Sequence, residues 1–514
     1  MIMKGDEINM NVLQLIKDYA NENPLKKVMI SGDEELTYKQ LDLASDHLAS
    51  YIECKCGQNK SPIAVYGHKS IYMLISMIAC VKSGRAYCPI DISWPDIRVQ
   101  AILDKMDSPI VLATERLTCN FSEIINVDEI KSYIEFKEEK NTSHMWVKGD
   151  DIFYILFTSG SSGEPKGVEI TSDCLNNFIK WSIALGNSEQ EKRGKVFLNQ
   201  APFSFDLSVM DLYTCMASGG TLWALSKETQ NSYSLLMNSL KDSNTNIWVS
   251  TPSFAELCLA EKKFDEILMP KLEYFFFCGE TLTPSTVKKL QNRFPKSKII
   301  NTYGPTESTV AVTGVEITEE LCSQCDTLPV GRVKDGSFIE IQDANGEAVG
   351  NDRSGEIVIW GNTVANGYYK MPEKTDLVFL KKEEGEFTKG YRTGDEGYLS
   401  DGMLYYCGRM DSQVKLHGYR IEIQDIENNL LKLKNVERAV VLPNIKEGKV
   451  RSLSAYVICS EKISNATEKM ISLKNSLKKY LPDYMIPKKI VFVDDIPVNN
   501  NGKIDRKALG GVFK

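Results

Sequence analysis

Histidine is scarce in this chain. His47, His68, His144 and His417 are the four it has in 514 residues, too dispersed for a histidine-based metal centre. Positive charge is not in excess either: the net charge of −8 argues against a general nucleic-acid or membrane-surface binder. No apolar run approaches membrane-spanning length, so no membrane insertion is expected. The opening stretch, Met1 to Ala20, lacks the apolar core of a signal peptide, and Met10 offers an alternative start that would leave residues 1–9 without a role. The thirteen cysteines are scattered and odd in number, which predicts reduced thiols and a cytoplasmic protein. Cys322 and Cys325 form a lone CxxC, with no second pair or nearby histidine to complete a zinc site. Repeats, coiled-coil heptads and low-complexity tracts are missing as well.

What remains is an ordinary globular composition, 42% hydrophobic and 25% charged, in a chain long enough for more than one domain. Residues 11–50 predict an amphipathic helix, a hairpin around Gly32-Asp33-Glu34, and a second helix from Thr37. Strands and helices then alternate. SPIAVYG (61–67), SPIVLA (108–113), KVFLNQAP (195–202), NIWVSTP (246–252), YFFFCGE (274–280) and SKIINTYG (297–304) read as strands, and MLISMIACVKSG (73–84) as a helix with a glycine stop. This rhythm predicts an α/β architecture with mostly parallel, buried strands and a ligand site beyond their carboxyl ends. From about Gly331 shorter alternating strands predict a β-rich subdomain. A break near Arg409–Gln413 separates a small α+β unit, with helices at IEIQDIENNLLKLK (421–434) and LKNSLKKYLPDYMIP (473–487). The expected division is 1–410 and 411–514.

The most informative stretch is YILFTSGSSGEPKGVEI, Tyr154 to Ile170. An apolar strand runs into a turn suited to a nucleotide's phosphates. Thr158, Ser159, Ser161 and Ser162 offer hydroxyls, Gly160, Gly163 and Gly167 let backbone N–H groups approach, and Lys166 adds a charge. The Walker loop fits poorly, since Lys166 is followed by Gly167. A solvated Ser/Gly turn is the plainer reading of this segment alone.

Four further segments follow in order: NTYGPTE (301–307), YRTGD (391–395), GRMDSQVKLHGYRIE (408–422) and NGKIDR (501–506). With the loop, they resemble the adenylate-forming enzymes, which comprise acyl-CoA synthetases, luciferases and amino-acid adenylation domains. The resemblance spans essentially the whole chain. It implies a large N-terminal domain, a small mobile C-terminal domain and an ATP site between them. Segments 199–213, 250–259, 275–282 and 301–313 are most similar to the members that load D-alanine onto a carrier protein.

Asp206, amid apolar neighbours, is a costly lone carboxylate unless it meets a cation or several donors. The resemblance makes that cation the substrate ammonium; a helix N-terminal aspartate satisfied by backbone N–H groups is the alternative. Cys278 reads as a small buried hydrophobe, and by resemblance as the wall receiving the D-alanine methyl group. Val310 lines the same pocket or simply packs in the core. Asn301 and Thr302 sit where adenine is expected, and Tyr303 offers a ring for stacking. Gly304 and Pro305 shape a tight turn, Thr306 is placed for the α-phosphate, and Glu307 is a good oxygen ligand for Mg²⁺. By resemblance Asp395 accepts from the ribose hydroxyls, Arg409 holds ribose and phosphate, and Tyr406, Cys407 and Gly408 form the adjoining wall. A surface Asp–Arg pair is the alternative for Asp395 and Arg409. Asp411 lies at the implied hinge, while Lys415, Gly418, Arg420 and Glu422 belong to the mobile domain's face. Lys503 is the implied catalytic residue, an ammonium able to bridge carboxylate and α-phosphate. Arg506 and Lys507 are expected to face a partner.

The resemblance implies two half-reactions: D-alanine attacks MgATP to give D-alanyl-AMP, then a phosphopantetheine thiol takes the acyl group. As the chain carries no carrier segment before Lys514, the carrier is expected to be a separate protein, serving D-alanylation of teichoic acids. Three positions depart from the pattern: Ser308 stands for an alanine, Ser162 for a threonine and Ser412 for an aromatic residue. Two other readings stay open. One is a standalone adenylation enzyme for L-alanine, glycine or β-alanine in peptide natural-product synthesis. The other is a catalytically inactive scaffold.

Overall fold

The computed structural model describes residues 11–135, 141–160, 164–186, 192–461, 463, 465–497, 506 and 509. Lys503 lies outside the described residues, as do Met10, Ser161, Ser162, Gly163 and Lys507.

The fold is mixed α/β. Among the described residues, one sheet of seven strands runs in the order Gly367–Tyr368, Lys166–Thr171, Ile152–Thr158, Tyr87–Asp91, Ile63–Gly67, Val111–Ala113 and Ile124–Asn126. The last five are parallel, as their unbroken apolar character predicts, while the strand after the glycine-rich turn returns antiparallel. A second sheet of nine strands has six parallel ones at its centre: Lys298–Tyr303, Tyr274–Phe277, Ile247–Ser250, Val196–Asn199, Thr221–Ala224 and Lys27–Ser31. Helices that begin on side-chain caps connect these strands. Thr37 and Gln40 form a capping box ahead of Tyr38–Cys56, and Thr171 caps Ser172–Ala184. The predicted hairpin is present, Lys27–Ser31 against Glu34–Thr37.

The β-rich part is a wholly antiparallel sheet of Ser337–Gln342, Gly355–Gly361, Lys389–Ser400, Phe379–Lys381 and Met403–Arg409. Its apolar face takes in Tyr303 and Val312, which welds it to the nine-stranded sheet. Beyond Arg409 a two-stranded hairpin, Gln413–Leu416 with Tyr419–Glu422, leads into a three-stranded sheet and two helices. These pack around their own core of residues such as Ile426, Leu430, Val441, Ala455 and Leu477.

Both predicted C-terminal helices need correction. The first is Ile423–Leu431, because Ile421 and Glu422 belong to the hairpin. The second is Ala466–Leu477, followed by a short 3₁₀ turn at Asp483–Met485. Its N-cap is Asn465, whose side chain accepts from Thr467 and Glu468 N–H. Apolar periodicity carries on past Leu477, but Pro482 cannot continue the helix.

Candidate active site

The carboxyl ends of neighbouring parallel strands gather the predicted residues. Cys278 follows Tyr274–Phe277 directly, Gly304 follows Lys298–Tyr303, Thr251 follows Ile247–Ser250, and Asp206 lies a short turn beyond Val196–Asn199. Two spaces open there. An outer cleft of about 1020 Å³ runs between Gly279–Glu280, Asn301–Gly304 and Tyr406–Arg409 on one side and the C-terminal unit on the other. Its size suits a nucleotide. An inner chamber of about 40 Å³ is lined by Asp206, Cys278, Thr306, Val310, Lys415 and Arg420. That is little more than one water's share of liquid volume, roughly 30 Å³. The last two lining residues come from the Gln413–Glu422 hairpin, which plugs the chamber.

Asp206 is the N-cap residue of the helix Leu207–Ala217 and makes no side-chain capping bond to its first turn, though the Leu207 N–H helps to lower its carboxyl. It is half-buried, and its Oδ2 accepts from the Thr306 hydroxyl at 2.5 Å. Burial raises its carboxyl above the ordinary range, with Thr306 and Lys415 pulling the other way. The sequence places Thr306 on the α-phosphate. Here its proton is committed to Asp206, because that half-buried carboxylate has few other donors.

Cys278 is buried, its thiol 3.7 Å from the Val310 carbonyl. Burial raises the thiol, which suits a wall and not a nucleophile. Val310 lines the same chamber. It and Thr309 both have left-handed φ values, 69° and 58°, a strained state for β-branched residues.

On the nucleotide side Asp395 and Arg409 face each other as a cross-strand pair, Oδ1 accepting from Nη1 at 3.0 Å. Both are nearly buried, so this is no loose surface pair. The Tyr303 hydroxyl donates to Asp395 Oδ2 at 2.6 Å, and the Tyr303 and Tyr406 rings lie 5.8 Å apart. Each carboxylate oxygen has a second lone pair with which to accept from a ribose hydroxyl. Asn301 does not turn its amide nitrogen to the cleft; that group donates to the Pro329 carbonyl at 2.8 Å. The Thr302 hydroxyl likewise points to the Phe277 carbonyl, at 2.9 Å. Cys407 is exposed beside Gly408. Arg409 also grips Asp411, with Nε 2.9 Å from Oδ1 and Nη2 on Oδ2, so the expected hinge residue is tied to the ribose-side arginine.

Glu307 is fully buried. It accepts from the Tyr368 hydroxyl at 2.8 Å, and one Arg420 nitrogen lies 2.9 and 2.8 Å from its two oxygens. Burial opposes its ionisation, but Arg420 and Lys166 outweigh it and hold the carboxyl down to about 2. A permanently ionised single carboxylate fits Mg²⁺, which takes one or two carboxylates and fills the rest with water and phosphate. Arg420 occupies the same oxygens in this domain arrangement. Lys166 lies 5.0 Å over the Tyr368 ring and 3.9 Å from Glu422, and burial followed by Arg420 lowers its ammonium. The Thr158 hydroxyl reaches the Lys166 carbonyl at 3.5 Å, and Ser159 donates to the Arg420 carbonyl at 2.7 Å.

Sequence reasoning missed Tyr368 and Glu280. Glu280 accepts from the Gly418 N–H at 3.0 Å and pairs with Lys449 at 3.1 Å. Gly418, with φ of 83°, packs so closely that a Cβ there would collide with Thr251. Arg506 pairs with Glu427 at 2.9 Å and stays partly exposed on the outer cleft.

Ser308, the departure nearest the chamber, is fully buried and its hydroxyl has no partner among the described residues. Ser308→Ala is therefore expected to stabilise the protein by about 1–3 kcal/mol. Urea denaturation followed by tryptophan fluorescence reads this out; an unchanged midpoint means the hydroxyl is satisfied.

Residues 16–369 match the AMP-binding enzyme family, and residues 425–503 match the AMP-binding enzyme C-terminal domain. D-alanine–D-alanyl carrier protein ligase of Bacillus cereus (strain B4264) is 44% identical over 505 residues, covering 97% of this chain and 99% of that protein. The ligase of the same name from Bacillus licheniformis is 42% identical with the same coverage. In fold, the chain is similar to the Vibrio cholerae adenylation domain AlmE, solved with glycyl-adenosine-5'-phosphate (TM-score 0.82, 22% identity, 100% of this chain and 99% of that one). It is also similar to PA1221, a protein with adenylation and PCP domains (TM-score 0.81, 23% identity, 97% and 84%).

Proposed function

Because this chain belongs to the AMP-binding enzyme family, we propose that it is the ligase that activates D-alanine with ATP and passes it to the phosphopantetheine thiol of a separate carrier protein. The observation that carries the substrate class is Asp206: a half-buried carboxylate that accepts from the Thr306 hydroxyl and lines a small chamber. Fatty and aryl acids bring no cation to such a group; an amino acid does. Cys278 and Val310 leave room there for a small side chain only. The relatives at 42–44% identity support D-alanine as that amino acid.

In the first half-reaction the substrate carboxylate attacks the α-phosphorus and pyrophosphate leaves. Asp206 fixes the ammonium, Asp395 and Arg409 hold the ribose, and Tyr303 and Tyr406 border the adenine. Ser159, Lys166 and Thr158 face the phosphates, and Lys503 neutralises the charge that develops. Mg²⁺ accompanying ATP would be held by Glu307 and would screen the phosphate oxygens. In the second, residues 411–514 turn about Asp411, bring the Gln413–Glu422 hairpin to the chamber, and the thiol attacks the mixed anhydride with release of AMP. The activity is assigned to the cytoplasm, where ATP is available, and its product to D-alanylation of teichoic acids.

Amino-acid-dependent ATP–pyrophosphate exchange tests this directly. D-alanine is expected to support the fastest exchange, ahead of L-alanine, glycine, β-alanine and a set of aryl and fatty acids. Preference for another small amino acid overturns the substrate but keeps the chemistry; exchange with none overturns both.

A further inference from the structure

The hairpin Gln413–Glu422 does more than plug the chamber. Three of the nucleotide-handling groups that it meets, Glu307, Ser159 and Lys166, receive a partner of the charge or polarity that MgATP would supply. Glu307, the group suited to the metal, has both oxygens on Arg420 Nη1, at 2.9 and 2.8 Å. Ser159, a donor facing the phosphates, donates instead to the Arg420 carbonyl at 2.7 Å, and its oxygen accepts the Glu422 N–H at 3.3 Å. Lys166, the loop cation, has the Glu422 carboxylate 3.9 Å away. A cation, a carbonyl oxygen and a carboxylate thus stand on one short element, in the places of a divalent ion and phosphate oxygens.

On the adenylation reading, we infer that this hairpin is an internal stand-in for the Mg²⁺–triphosphate moiety, with Arg420 as the positioning residue that replaces the metal on Glu307. A buried carboxylate left bare when metal and pyrophosphate depart is costly, and Arg420 arrives to neutralise it. The guanidinium and the metal claim the same oxygens, so the two states exclude each other. Linkage then requires reciprocity: what MgATP does to the hairpin, the hairpin does to MgATP. AMP, lacking the metal and the outer phosphates, competes with none of these contacts.

The test uses the full chain without amino acid, so that no turnover occurs. Calorimetry with MgATP and with metal-free AMP is compared between wild type and Arg420→Gln, and hydrogen exchange follows the backbone of residues 413–422. Arg420→Gln is expected to bind MgATP about tenfold tighter, in the usual range of couplings between sites, with AMP affinity unchanged. MgATP should speed exchange of the hairpin in wild type, and AMP should not. Glu422→Gln provides a second variant should Arg420→Gln fail to fold, with a smaller gain in MgATP affinity expected. If neither variant gains, or if both nucleotides shift together, the stand-in is overturned while adenylation stands. Wild type that binds neither nucleotide overturns adenylation itself, and this inference with it.

Discussion

Asp206→Asn lowers kcat/KM for D-alanine by about 30- to several thousand-fold, the 2–5 kcal/mol expected when one partner of a buried charge pair is removed. Asparagine keeps the shape and the Thr306 contact but leaves the substrate ammonium without a counter-charge in a half-buried chamber. Most of the loss falls on KM, since the ammonium is bound alike in ground and transition states. A pH signature accompanies it. Burial raises the Asp206 carboxyl, so the free enzyme takes up this proton above the ordinary carboxylate range. Only the ionised form pairs with an ammonium; kcat/KM therefore falls as pH drops through that raised value. The acidic limb should vanish in the asparagine variant, because nothing titrates there. An Asp206→Asn enzyme with wild-type KM and the same acidic limb would remove Asp206 from substrate recognition.

Lys503→Ala separates the two half-reactions. Loss of one charge-stabilising donor from a developing anion costs about 10²- to 10³-fold in rate, so pyrophosphate exchange should fall by that amount. Transfer from supplied D-alanyl-adenylate to a phosphopantetheine thiol should change little if, as proposed, residues 411–514 turn another face to the chamber for that step. Equal loss in both steps would argue for a structural lysine. Unchanged exchange would move the catalytic charge elsewhere, with Lys166, 5.0 Å over the Tyr368 ring beside Glu307, a described candidate.

Local signals made much of this legible in the sequence. Apolar runs ending in polar turns announced parallel strands and a site at their carboxyl ends, and Asp206, Cys278 and Val310 do meet there. Asp395 and Arg409 are cross-strand neighbours, a relation that alternation and a short turn already favour. The contacts that escaped join residues far apart in the chain and follow no period. Arg420 reaches Glu307 across 113 residues, and Thr306 reaches Asp206 across 100. Tyr368 looked like any aromatic after a strand, though its hydroxyl serves Glu307. The misread second C-terminal helix has a different cause: amphipathic spacing continues past its true end at Leu477, several residues ahead of Pro482.

The strained pair Thr309–Val310 bears on how such a pocket can change over generations. The backbone here is held in a left-handed bend, with the Val310 carbonyl 3.7 Å from the Cys278 thiol. A new side chain at 310 must adopt the bend's positive φ, whereas Cys278 directly follows a regular strand and carries no such backbone demand. Substrate preference in this lineage therefore has an easy route of drift through position 278 and a guarded one through 310.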